Sequence, residues 1–209
     1  MAVNIGGFQP VTASDFPGRM AAIVFTQGCN FRCPFCHNAE LLSVKSPPAA
    51  AVDTVIDFLS RRKERLTGLV ITGGEPCIQS DLPRFCRNIK AMGYAVKLDT
   101  NGSRPGMIET LLTGGLVDFI AMDIKAPVEK MHLLAGVPVK GTDVLRSITL
   151  ISKSGISHLF RTTDVAPLLS SRDHIAIREM VPPGSTHIVQ PFISKNALSP
   201  ALRTGKQGD

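Results

Sequence analysis

The sequence predicts an α/β protein, a partial, open (β/α)6 TIM-like barrel entered through a short N-terminal hairpin. Three observations predict it. Short apolar runs alternate six times with stretches of helical periodicity, and the connections between them are short. Alternation of this kind gives parallel strands joined by right-handed crossovers. Six units are too few for the closed eight-stranded barrel, so the sheet stays open. Finally, the polar and glycine-rich punctuation follows the C-terminal ends of the apolar runs. In parallel α/β barrels that rim carries the active site.

Residues 1–20 hold Gly6, Gly7, Pro10 and Pro17 among short apolar pieces, which suits a hairpin or cover. The first barrel strand spans about residues 20–26 and runs into a cysteine-rich loop. Ser46-Pro47-Pro48 turns the chain into a helix whose Val52, Val55, Ile56 and Leu59 form one apolar stripe. Leu69-Val70-Ile71 is a buried strand that stops at Thr72-Gly73-Gly74-Glu75-Pro76. Leu82, Phe85, Cys86 and Ile89 repeat the helical stripe, so Cys86 reads as packing. The next strand, 94–98, ends in Asp99-Thr100-Asn101-Gly102, and a helix with Pro105 near its start follows. A fourth strand, 116–122, ends in Asp123-Ile124-Lys125. Val144, Leu145 and Ile148 mark another helix, 158–163 a strand, Ala176, Ile177 and Met180 a helix, and 187–190 the sixth strand. Residues 1–195 are expected to form one domain. The end, 196–209, is polar and is expected to be a loose tail.

A chain of 209 residues with 44% hydrophobic residues is long enough to bury a proper core. No apolar run approaches the roughly 20 residues of a membrane helix, and the start lacks the pattern of a signal peptide. A cytoplasmic protein with no membrane partner is expected. The net charge of +6 is dispersed, and 5% aromatics with no tryptophan leave few stacking platforms, so no nucleic-acid partner is expected. Five cysteines, an odd number gathered mostly in one loop, argue for a reducing compartment and a metal rather than a disulfide framework.

That loop is Gly28-Cys29-Asn30-Phe31-Arg32-Cys33-Pro34-Phe35-Cys36-His37-Asn38, with cysteines spaced C-x3-C-x2-C. Soft thiolates favour zinc, copper(I) or iron–sulfur centres. A structural zinc site wants four closed ligands, and the adjoining His37 is poorly placed to complete a tetrahedron. Cys33-Pro34-Phe35-Cys36-His37 also matches the haem-attachment pattern, a reading that strands Cys29. A [4Fe–4S] cube with three cysteines leaves one iron open to an outside ligand, as a catalytic cluster requires. The iron–sulfur reading is preferred; zinc and haem remain the alternatives.

C-x3-C-x2-C with an aromatic before its last cysteine resembles the signature of the radical S-adenosylmethionine (SAM) superfamily. The longer string from Gly28 to Asn38 resembles a narrower group, the activating enzymes of glycyl radical proteins. Within it the activators of anaerobic ribonucleotide reductase and of pyruvate formate-lyase are nearest. The likeness runs from about Phe8 to Phe192. It implies that Cys29, Cys33 and Cys36 hold a [4Fe–4S] cluster and are the catalytic cysteines, with SAM on the open iron. It implies that the backbone of Gly73-Gly74-Glu75-Pro76 receives the SAM amino group, where a missing Cβ permits close approach. Asp99, Thr100 and Asp123 would hold a monovalent cation, Lys125 and Arg161 would meet carboxylate or ribose, and Phe35 and the backbone of His37 would lie by the adenine.

Plainer readings stand beside these. Gly-Gly-x-Pro is also an ordinary strand-ending turn, Asp99-Thr100-Asn101-Gly102 an Asx-type turn, and Asp123 and Lys125, two apart on a strand, could simply pair. Cys77 has no assigned part and reads as a packed thiol. The resemblance implies reductive cleavage of SAM and formation of a glycyl radical on a partner enzyme, with anaerobic ribonucleotide reductase as the expected target. A flavodoxin or ferredoxin would supply the electron. A radical SAM enzyme acting on a small molecule, such as 7-carboxy-7-deazaguanine synthase, is the alternative.

Overall fold

The protein is described over residues 3–203 by a computed structural model. One sheet holds seven strands in sequence order: β1 (Ile5–Thr12), β2 (Ala21–Thr26), β3 (Gly68–Gly73), β4 (Ala95–Thr100), β5 (Phe119–Asp123), β6 (Ser157–Asp164) and β7 (Thr186–Pro191). β1 is antiparallel to β2, and every later neighbour is parallel. The order starts at β1 and stops at β7, so among the described residues the sheet is a partial barrel with an N-terminal hairpin, as the alternation predicts. The helices are α1 (Val52–Ser60), α2 (Leu82–Ala91), α3 (Pro105–Thr113), α4 (Met131–Ala135), α5 (Gly141–Lys153) and α6 (Ser171–Met180).

The period of two along each strand sorts the core into two faces. Outward residues such as Val24, Ile71, Leu98, Ile120 and Met122 pack with Leu59, Phe85, Ile89, Ile108, Ile148 and Ile177 of the helices in one large cluster. Inward residues Ala21, Ile23, Val70 and Ala95 form a smaller cluster with Phe16, flanked by Phe25 and Phe119. Ala21, Gly68 and Ala95 are register partners at the N-terminal ends of the strands. Phe16 therefore plugs the floor of the barrel, and a side chain at Gly68 would collide with its ring. The opposite end, where the strands finish, is left for the site.

Two features depart from the sequence reading. α4, in the β5–α5 connection, is too short to show a periodic stripe. The expected loose tail is corrected over 196–203: Ala197 is fully buried and Leu202 is 7% exposed, and both belong to the large cluster. Residues 204–209 of that expectation lie outside the described residues. Among the described residues no helix is long and apolar enough to cross a membrane.

Candidate active site

The strand ends enclose a cavity of about 220 Å³. Its wall includes Cys29, Cys33, Phe35, Cys36 and His37 from the loop after β2; Gly73, Gly74 and Glu75 after β3; Asp99 and Thr100 of β4; Asp123 and Lys125 at the end of β5; and Arg161 of β6. These are the residues singled out from the sequence, with one exception: Pro76 opens a 3-10 turn behind the wall. Phe31, Leu42, Thr72, Asn101 and Thr163 also line it. Thr72 and Thr163 carried a signal that could have found them, since inward strand positions near a C-terminal end must face the cavity.

The cysteine loop is closed by its own return. β2 ends at Thr26, and the Gln27 side-chain amide donates to the carbonyls of Glu40 (3.0 Å) and Ser43 (2.9 Å). The Gly28 N–H donates to Leu41 O at 2.7 Å. Gly28 has φ +98, a conformation that suits only glycine here. Within the loop Cys36 N–H donates to Cys33 O at 3.0 Å, and Phe31 N–H to the Cys29 sulfur at 3.3 Å. The Arg32 guanidinium donates to the carbonyls of Cys29 (2.6 Å) and Phe31 (2.7 Å). Its backbone N–H donates to Ala135 O of α4 at 2.7 Å.

Among the described residues all five cysteines are free. Burial pushes the Cys29 thiol up to about 12 and raises Cys33, against which Lys125 pulls down. Protonated thiols in a half-dry cavity must shed protons to bind a metal, so loading is favoured by rising pH. Among the described residues no three Cys, His, Asp or Glu side chains already stand at metal-binding geometry. The donor set nonetheless fits an iron–sulfur cluster: three soft thiols share one wall, whereas Cys77 and Cys86 are buried and off it.

Charged groups from three adjacent strands alternate across the cavity floor. Lys97 pairs with Asp99. Arg161 bridges Asp99 (3.2 Å) and Asp123 (2.8 Å). Lys125 pairs with Asp123 at 3.0 Å, so the plain pairing of these two is made, and both still line the cavity. Lys125 and Arg161 thus stand on the cavity wall as cations that an anionic ligand group could meet. Burial pushes the Asp123 carboxyl up, but Lys125 and Arg161 outweigh it and hold it down at about 2. Lys125 also lies 5.7 Å over the Phe35 ring.

Glu75 is differently placed. Its buried carboxylate accepts from Thr100 Oγ1 (2.7 Å), Asn101 N–H (2.7 Å) and Cys77 N–H (2.9 Å). Burial raises its pKa, and the three donors oppose the rise. The side chain thus ties the end of β3 to the end of β4. Beside it, a Cβ on Gly74 would run into the Gly28 carbonyl. The glycine is therefore needed for the turn to lie against the cysteine loop.

A partial barrel with three thiols and a Gly-Gly turn on one rim defines a class. The family profile described as "Radical SAM superfamily" matches residues 23–180, and the chain belongs to that superfamily. It is 30% identical over 205 residues to a Methanocaldococcus jannaschii protein provisionally named a glycyl-radical enzyme activating enzyme; the match covers 94% of this chain and 83% of that one. It is 34% identical over 129 residues to the pyruvate formate-lyase-activating enzyme of Listeria monocytogenes, covering 57% of this chain and 52% of the relative. A match to the 7-carboxy-7-deazaguanine synthase of Aquifex aeolicus, 36% identical over 86 residues, covers 41% of this chain and 38% of the relative. In fold it is similar to Streptococcus suis SuiB bound to S-adenosylmethionine, with a TM-score of 0.66 at 14% identity, over 88% of this chain and 42% of that one. The chain is thus an enzyme of the radical SAM superfamily, related to the activating enzymes, and the family implies SAM and a [4Fe–4S] cluster as its cofactors.

Proposed function

We propose that this enzyme is an activase that cleaves SAM reductively and generates a glycyl radical on a partner protein, anaerobic ribonucleotide reductase being the preferred target. The observation that carries the reading is the meeting of Cys29, Cys33 and Cys36 with the Gly73-Gly74 turn on one small cavity. The near full-length likeness to a relative named an activating enzyme favours it over the synthase reading, whose match covers less than half the chain.

When bound, the cluster supplies one electron to the SAM sulfonium, which yields methionine and a 5′-deoxyadenosyl radical that takes a hydrogen from a glycine α-carbon. This chain's residues supply the rest. Cys29, Cys33 and Cys36 hold the cluster. Gly73 and Gly74 offer bare backbone to the SAM amino group, while Lys125 and Arg161 attract its carboxylate. Phe35 and the His37 backbone flank the adenine, and buried aromatic surface keeps water from the radical. A monovalent cation at Asp99, Thr100 and Asp123 belongs to the same reading. Every oxygen of the two carboxylates is already engaged by Lys97, Arg161 or Lys125, so these residues would hold a cation only in exchange for one of those ion pairs. A flavodoxin or ferredoxin in the cytoplasm donates the electron.

The test mixes anaerobically reconstituted protein, reductant, SAM and the reductase. The expected products are 5′-deoxyadenosine and a glycyl radical signal in electron paramagnetic resonance. Cys33→Ala abolishes both, and normal SAM cleavage by that variant would refute the ligand assignment. Turnover of a free pterin-type substrate with no radical on the reductase would favour the synthase.

A further inference from the structure

The chain beyond β7 does not leave the barrel. It crosses the rim and lies along the second half of the cysteine loop. The Phe192 ring is stacked on the His37 ring, 5.7 Å between centroids and 3° between planes. It also meets Phe35 edge-on at 6.4 Å. His37 Nε2 is hydrogen-bonded to the Ile193 carbonyl, and the Ser199 N–H donates to the Pro34 carbonyl at 2.7 Å. Pro34, Phe35 and His37 are the residues between and just after Cys33 and Cys36, and each is held from this segment.

The segment is itself anchored. Ala197 is fully buried and Leu202 nearly so. The Arg203 guanidinium folds back onto the carbonyls of Ala197 (2.7 Å) and Leu198 (3.4 Å). The first half of the loop is held separately, by α4 through Arg32 and Ala135. Cys29 and the Cys33–Cys36 pair are therefore positioned by two different parts of the chain. What fixes their relative placement is the tertiary packing and not the loop alone.

We propose that residues 192–203 form a strap that positions Cys33 and Cys36 for the cluster and shields that side from water and oxygen, with Phe192 and His37 as positioning residues. Neither ring is a ligand. Their stack sets how readily the last two thiolates let go of iron. The inference rests on the iron–sulfur reading above.

The experiment compares wild type, Phe192→Ala, Phe192→Tyr and Ser199→Pro after anaerobic reconstitution. Ser199 has φ −77, which a proline ring fits, and the change removes the N–H that reaches Pro34 and turns the ring against that carbonyl, so this tie of the segment to the loop is broken. Iron and sulfide content, the rate of iron release to a chelator, and the rate of bleaching in air are measured, with unfolding of the apoprotein recorded alongside. Phe192→Ala and Ser199→Pro are expected to load the cluster and lose it faster, about tenfold for the alanine, the scale of a lost aromatic pair. Phe192→Tyr restores wild-type release, and the paramagnetic spectrum of the reduced cluster shifts in the alanine variant only. Equal release rates in wild type, Phe192→Ala and Ser199→Pro would overturn the strap. So would faster loss that simply follows the stability of the apoprotein. A wild-type protein that takes up no sulfide would instead refute the cluster reading itself.

Discussion

Single side chains decide how well the rim is set. The Glu75 carboxylate accepts from three buried donors at once. Glu75→Ala is expected to cost about 3 kcal/mol, because buried donors left without their acceptor are expensive; denaturant unfolding of the apoprotein measures this, and a cost below about 0.5 kcal/mol would show that the clamp is idle. Asp123 sets a pH window. Its pKa is lowered from 3.8 to about 2, so it favours the folded state above pH 3.8, and this contribution is lost as pH falls through about 2. The stability of Asp123→Asn should therefore fall less steeply than that of wild type over that interval. Parallel acid profiles for the two proteins would place the titration elsewhere. That Cys29, Cys33 and Cys36 gather on one loop at a strand end was legible from their spacing. The inward use of Glu75 was not, because a carboxylate in a Gly-Gly-Glu-Pro turn carries no local mark of which donors will reach it.

At the scale of elements, α1, α2, α3, α5 and α6 announce themselves by apolar residues three and four apart, and the parallel strands by continuous apolar runs. α4 does not, yet it supports the site by taking the Arg32 N–H. Its C-terminal Gly136 has φ +66 and ends the helix in a left-handed cap. A Cβ there would strike the Arg32 carbonyl. Gly136→Ala is expected to destabilise the fold by about 1–3 kcal/mol and to lower iron uptake, because α4 must lift off the cysteine loop. Normal stability and normal loading in that variant would mean that the contact is dispensable. The segment 196–203 was misread for a related reason. Ala197 and Leu202 are isolated apolar residues in a polar stretch, too few to show a period, and only packing reveals that both are inside.

For the molecule as a whole, the open sheet places six strand ends on one rim and leaves β1 and β7 unjoined. Local composition and spacing, which arise from contacts near in the chain, were enough to determine the α/β class, the order of the elements, the three thiols and most of the cavity wall. Packing was needed to reveal contacts between residues far apart: Arg161 spanning Asp99 and Asp123, Glu75 locking β3 to β4, and the segment after β7 seated on His37 and Pro34. Such pairings depend on how the strands are laid side by side and how the chain returns across their ends. A linear pattern records the faces of each element but not which distant partner fills them.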